Sequence, residues 1–205
     1  MLRILRDLVL AVTMYLLIVF LWTSLAQAGT IVGKVTARGV RSPKDVVVYM
    51  DPNCNGNELQ PAGKHTVVMD QVNMVFVPRI LPVGVGTTVD FLNSDDVVHT
   101  VFTPSRLADK FDTGVMAKGE VRSYTFTKPG NVPLLCAFHP EMEAYVVVLG
   151  TSHYAVTDQK GNFEMPDVPP GTHRLVTWHK KLKPKTTTVV VPAQGTVEAI
   201  LKLRR

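Results

Sequence analysis

Cysteine is scarce: the 205 residues include two, Cys54 and Cys136. Two thiols cannot staple a small disulfide scaffold, so the fold must rest on an apolar core. Charged residues make up only 19% and apolar residues 46%, which excludes a disordered or polar low-complexity chain. Long helical periodicity is also missing, and the best helix candidate, Ser105–Lys110, is one or two turns. No His-Glu-x-x-His pair of a metallopeptidase occurs, nor any nucleic-acid-binding motif. Arginines are not adjacent in the first residues, so export by the twin-arginine route has no support.

What the chain does have is frequent punctuation and period-two alternation. Fourteen Gly and fourteen Pro favour many short strands over long helices. Strands are expected over Ile31–Val35, Val46–Met50, Val72–Val77, Thr88–Leu92, Val97–Phe102, Val121–Phe126 and Ala144–Leu149. Val132–Phe138 is nearly continuous apolar sequence, as expected of a strand buried on both faces. Further strands follow at Tyr154–Val156, Phe163, Arg174–His179, Thr187–Val191 and Val197–Leu203. Between them lie turn signals such as Lys128-Pro129-Gly130 and Pro169-Pro170-Gly171. The expected class is all-β, one sandwich or a pair.

Residues 1–28 have the layout of a secretory signal: Arg3 and Arg6, a long apolar run from Leu8, and Ala26-Gln27-Ala28 before Gly29. A retained anchor is the competing reading, since the run nearly spans a bilayer. Cleavage predicts a mature chain from Gly29 with no stable membrane span, working outside the cytoplasm. Charge is uneven along that chain. From Arg174 onward eight basic residues face Glu198 alone, giving +7, so residues 29–173 carry −3 against the +5 of the whole. This tail is either a solvated face or a dock for an acidic partner or an anionic membrane surface.

The chemistry concentrates in Cys136-Ala-Phe-His139-Pro-Glu-Met142, with His99 upstream at the end of Asn93-Ser-Asp95-Asp96-Val-Val-His99. Two imidazoles, a thiolate and a weak thioether are the donor list of a blue-copper site. Zinc is a poorer match because Met is a poor zinc ligand. In an exported chain Cys136 could instead pair with Cys54 in a disulfide. His65, His153, His173 and His179 show no mutual metal spacing, and Met69, Met74, Met116 and Met165 read as core filling. Asp51-x-Asn53-x-Asn55-Gly56 has the opening of a calcium loop, but the twelfth position is Ala62 where a Glu would close it. An Asx-rich turn is the better reading.

Residues 70–149 resemble a cupredoxin of the plastocyanin and amicyanin type. The resemblance is carried in order by Phe76-Val-Pro78, Gly86-Thr-Thr-Val-Asp-Phe-Leu-Asn93-x-Asp95, His99, Tyr124-x-Phe126-x3-Gly130 and the Cys136-x2-His139-Pro140-x-Met142 loop. It implies one type-1 copper per chain, with His99, Cys136 and His139 as equatorial ligands and Met142 as the axial one. The family usually has Asn after the first His, where it ties the ligand loops together; this chain has Thr100. A second stretch, Ala155-Val-Thr-Asp158-x2-Gly161-x-Phe163 to Pro169-Pro170-Gly171-Thr-His-Arg-Leu175, resembles the carboxypeptidase regulatory-like (transthyretin-like) sandwich. That family's opening strands have counterparts at Gly29–Val35 and Asp45–Tyr49.

The expected layout is therefore a signal helix at 1–28, a cupredoxin Greek-key sandwich at 65–149, and a second sandwich from 29–64 plus 150–205 around it. A simpler layout gives the cupredoxin an N-terminal extension and a separate C-terminal domain. The resemblance implies a periplasmic single-electron carrier that docks weakly on redox proteins and binds no nucleic acid. Alternatives are a copper carrier or sensor, and an envelope sandwich with a vestigial site. An enzyme is disfavoured, since copper oxidases and nitrite reductases add His-rich centres and no His-x-His occurs here.

Overall fold

The computed structural model describes residues 28–54, 65–108 and 111–205. The expected signal helix, and most of the loop that opens at Asp51, lie outside the described residues. The strands are β1 (Gly29–Arg38), β2 (Val47–Met50), β3 (Thr66–Val72), β4 (Val75–Val77), β5 (Ile80–Gly84), β6 (Thr88–Asn93), β7 (Val121–Thr125), β8 (Gly130–Leu135), β9 (Glu143–Leu149), β10 (Tyr154–Val156), β11 (Asn162–Val168), β12 (Gly171–Trp178), β13 (Thr186–Val191) and β14 (Thr196–Arg204). The helix expected at Ser105–Lys110 is a single 3-10 turn, Arg106–Ala108, among the described residues.

Four sheets form. Two, ordered β4-β3-β6-β7 and β5-β9-β8, enclose a core that includes Phe91, Phe126, Met116, Val132 and Leu134. The other two, β11-β1-β14 and β10-β2-β12-β13, enclose Ile31, Val35, Met165, Leu175 and Leu201. β1, from before the first sandwich in the chain, lies between β11 and β14 from after it, and β1 and β14 run parallel over nine residue pairs. β2 likewise pairs with β10 and β12. Gly33 sits where β1 is squeezed between its neighbours, and a Cβ there would come within 2.4 Å of the Ala199 carbonyl and of the Phe163 ring.

The strand buried on both faces is β9 rather than the 132–138 run. In β8, Val132 and Leu134 are buried while Pro133 and Leu135 are half-buried. Because side chains alternate along a strand, β9 sends Ala144, Val146 and Val148 into the first core. Its other face, Tyr145, Val147 and Leu149, packs against Val47, Tyr154 and Trp178 of the second sandwich. Tyr145 and Trp178 meet with ring centroids 5.3 Å apart. Lys180 adds an ion pair to Glu143 at the start of β9. The seam between the sandwiches thus begins one residue after Met142.

Val97–Phe102 is not a strand. It makes isolated bridges, His99 with Met116 and Phe102 with Asp112 and Leu135. The physical reason is that side chains replace the ladder. The Thr113 hydroxyl accepts the Val101 N–H at 2.8 Å, and Asn93 takes up the Val97 carbonyl.

Candidate metal centre

The site is assembled from the end of β6 outward. Asn93 is fully buried, and its Nδ2 donates to the carbonyls of Val97 and Met116, both at 2.9 Å. Its Oδ1 accepts the Asp95 N–H at 2.9 Å. These bonds fold residues 94–98 into a tight loop and place His99 opposite Met116. Backbone bonds of 3.1 and 2.8 Å then hold His99 there. The His99 ring is fully buried. On the other side, paired backbone bonds between Phe102 and Leu135, 3.0 and 2.9 Å, bring the end of β8 beside this loop and deliver Cys136 next to Thr100. The chain then turns, with the Met142 N–H donating to the His139 carbonyl at 2.9 Å, so that His139 folds back over Cys136.

Three donor atoms converge. His99 Nδ1 and His139 Nδ1 are 3.0 Å apart, and Cys136 Sγ lies 3.8 and 3.7 Å from them. A point equidistant from the corners of that triangle is about 2.1 Å from each, which is a metal–imidazole bond length and slightly short of a metal–thiolate one. Two imidazole nitrogens facing each other at hydrogen-bond distance share one proton or one cation. This is the one group of three or more such donors among the described residues. Met142 is buried in the same core cluster as Cys136.

The tautomer of His99 follows from its outer partner. Its Nε2 lies 2.9 Å from Asp95 Oδ2, so Nε2 carries the proton and Nδ1 presents a lone pair to the centre. Asp95 also accepts the N–H groups of Asn73 and Met74, at 2.6 and 2.8 Å. Those two residues make the β3–β4 turn with φ of 54° and 57°, a conformation that is costly for Met. Burial pushes the Asp95 carboxyl up, but the bonds from Met74, His99 and Asn73 outweigh it, and its pKa lies below the ordinary value.

Thr100 does what the sequence left open. Its Oγ1 accepts the Ala137 N–H at 2.9 Å, which ties the His99 loop to the Cys136 loop, and the hydroxyl lies 4.0 Å from Sγ. Burial raises the Cys136 thiol pKa, yet N–H groups of Thr100 and Phe138 and the His99 and His139 rings bring it down to about 6. The thiolate is therefore present at neutral pH. A lowered pKa contributes stability that is full above the pKa of an unfolded thiol, about 8.5, and is lost as pH falls through 6. For metal-free protein carrying Cys54→Ser, the ultraviolet thiolate absorption should titrate with a midpoint near 6, and resistance to urea should fall as pH is lowered from about 8.5 to 6. A midpoint near the free-thiol value would contradict this.

The other candidates separate from the site. Cys54 and Cys136 form no disulfide. His173 is buried with Nε2 2.7 Å from the Pro169 carbonyl, and His153 Nε2 meets the Asp167 carbonyl at 3.1 Å, so both serve local turns. Asp51 accepts the Asn53 N–H and the Arg174 guanidinium, which makes it an Asx turn with an ion pair. Asp95 was visible in the sequence but given no role; its place four residues before His99 was the signal. Met116 is core filling, as expected, and also the backbone partner of His99.

Residues 63–149 match the family model described as copper binding proteins, plastocyanin/azurin family. The chain belongs to this copper-binding family. Residues 140–204 match the carboxypeptidase regulatory-like domain, so the two assignments overlap at the metal loop and β9. Among solved structures, a reduced tryptophan-to-tyrosine variant of amicyanin is 30% identical, covers 40% of this chain and 81% of its own, and has a TM-score of 0.39. The reduced state of a proline-to-phenylalanine variant of amicyanin is 32% identical over the same shares, with a TM-score of 0.38. No curated protein matches. In this cupredoxin the donor set fits copper: two neutral imidazoles accept either oxidation state, and an anionic thiolate is a soft partner for Cu(I).

Proposed function

We propose that the protein is an exported, periplasmic carrier of single electrons that holds one copper ion through His99 Nδ1, Cys136 Sγ and His139 Nδ1, with Met142 as a weak axial ligand. The observation that carries this is the convergence of the three donors on one point, held by backbone bridges and by the Asn93, Asp95 and Thr100 bonds. Copper supplies the one-electron couple. The chain's own part is to keep the donors still, so that neither oxidation state demands rearrangement. The soft thiolate and the imidazoles serve both states, and burial of Cys136 and Met142 excludes water.

His139 is half-buried, whereas His99 is fully enclosed, so the His139 edge is the port through which an electron passes. Next to the donors in sequence the chain exposes apolar side chains: Phe138 before His139, Val97 and Val98 before His99, and Val115 before Met116, which bridges His99. Exposed apolar side chains next to the donors suit a redox partner that docks briefly and leaves. His99, Cys136 and His139, with Met142 as a fourth donor, would hold copper through protein side chains alone, which supports a carrier rather than an enzyme.

The test is retention of copper through a redox cycle. Copper-loaded protein should show an intense visible band, bleach on adding one reducing equivalent and recover on reoxidation, with its metal retained against a Cu(I) chelator throughout. Rapid surrender of Cu(I) to the chelator would mean that the protein delivers copper instead of electrons.

A further inference from the structure

At the ends of β1 and β14, Arg38, Lys183, Lys185, Lys202 and Arg204 line an open cleft of about 820 Å³, with no acidic residue in its wall. The parallel register sets Arg38 directly beside Arg204, and the Lys183 N–H bonds to the Arg204 carbonyl at 2.9 Å, which fixes the loop to the strand. All five side chains are exposed, and none makes an ion pair among the described residues. Like charges on neighbouring strands repel, so this arrangement costs stability unless something anionic covers it.

A second open cleft, about 600 Å³, lies where the sandwiches meet and continues the charge with Arg41, Arg79, Lys181 and Arg205 against Asp45. The two are joined through Arg38 and Arg205, whose backbones bond at 3.2 Å. Arg79 belongs to the copper sandwich, and Lys180 in this cleft pairs with Glu143, the residue after Met142. The basic face therefore runs from the second sandwich to the foot of the metal loop.

We propose that this face docks an acidic patch of a partner protein and so brings that partner onto the copper sandwich. The inference deepens the electron-carrier reading by naming the partner's surface chemistry, and it rests on that reading only for what passes between the two. A protein surface is favoured over a small anion because both clefts are open and their cations stand exposed on strand ends and loops. It is favoured over a membrane because neither cleft wall presents an exposed large apolar side chain that could enter a bilayer. The copper sandwich, with six basic and nine acidic residues over 66–149, cannot itself attract an acidic partner. The appended sandwich supplies the missing sign.

The test uses the full chain and fluorescein-labelled poly-L-glutamate, with binding followed by anisotropy at low salt. The variant Arg38→Gln/Lys183→Gln/Lys185→Gln/Arg204→Gln should lose affinity by about tenfold or more, while Arg106→Gln/Lys118→Gln/Lys128→Gln/Lys160→Gln, with the same charge change elsewhere, should lose less than about twofold. Equal losses would reduce the effect to net charge and overturn the proposal. So would binding of the parent protein to phosphatidylglycerol vesicles that the first variant abolishes, with poly-L-glutamate indifferent to it. The visible copper band, measured on each variant, reports on the metal site separately. An unchanged band with lost binding supports the docking face, and a missing band with binding intact counts against the electron-carrier reading alone.

Discussion

Replacing Cys136 with Ser should abolish the intense visible absorption of the Cu(II)-loaded protein and weaken copper binding by more than about 100-fold, beyond the loss expected from disturbing an outer-shell partner. The argument rests on the donor's charge and reach. Cys136 Sγ faces both imidazoles at 3.7 and 3.8 Å, and its pKa of about 6 makes it an anion at neutral pH. A serine hydroxyl stays protonated there, and its shorter C–O bond draws the donor away from the centre. The intense band requires charge transfer from thiolate sulfur, for which oxygen is no substitute. The fold should barely change, since the site's backbone bridges do not involve the thiol. Cys54→Ser should leave the band intact. A coloured Cys136→Ser protein, or a colourless Cys54→Ser one, would refute the assignment.

Much of this was legible in the sequence because ligand chemistry and strand alternation are local. His99, Cys136 and His139 could be singled out because two imidazoles and a thiol stand in one short pattern, and the structure brings their donor atoms together; β14 could be read from the strict alternation of Ala199, Leu201 and Leu203. What escaped the reading depended on tertiary contacts. β5 carries no strand signal in the sequence, since Pro82 lies in its middle. β5 is a sheet edge that pairs with β9 alone, and an edge tolerates a residue with no N–H to donate. The run Val72–Val77 read as one strand because Met74 is no turn former. Its positive φ is stabilised by Asp95, twenty-one residues away. Val97–Phe102 has strand alternation but no ladder, since Asn93 and Thr113 side chains capture its backbone. The link from Lys180 to Glu143 crosses between sandwiches, which periodicity cannot reveal.

Asp95→Ala should lower copper affinity about 10–100-fold and stability by about 2–4 kcal/mol. Asp95 is where the turn, the loop and the metal ligand meet. Its carboxylate accepts three N–H groups, from Asn73, Met74 and the His99 ring. Two of them belong to exposed residues and can turn to water, but the His99 ring is fully enclosed, so its Nε2–H would be left without a partner. Two responses are open to the ring. It can flip to find an acceptor, which removes Nδ1 from the centre, or it can move its proton to Nδ1, which blocks the metal. Both weaken copper binding. Asp95→Asn separates charge from geometry: its amide oxygen still accepts from His99, so stability should fall less, while loss of the carboxylate makes the imidazole a poorer donor to Cu(II) and raises the reduction potential. Because the Asp95 pKa is lowered on folding, its contribution is complete above the pKa of an unfolded aspartate, about 4, and lost only as pH falls below that. The effects of both substitutions should therefore be flat across neutral pH and shrink only in acid. Copper affinity and potential that match the parent in Asp95→Ala would show that the His99 ring is held by its enclosure alone, and that this carboxylate serves only the β3–β4 turn.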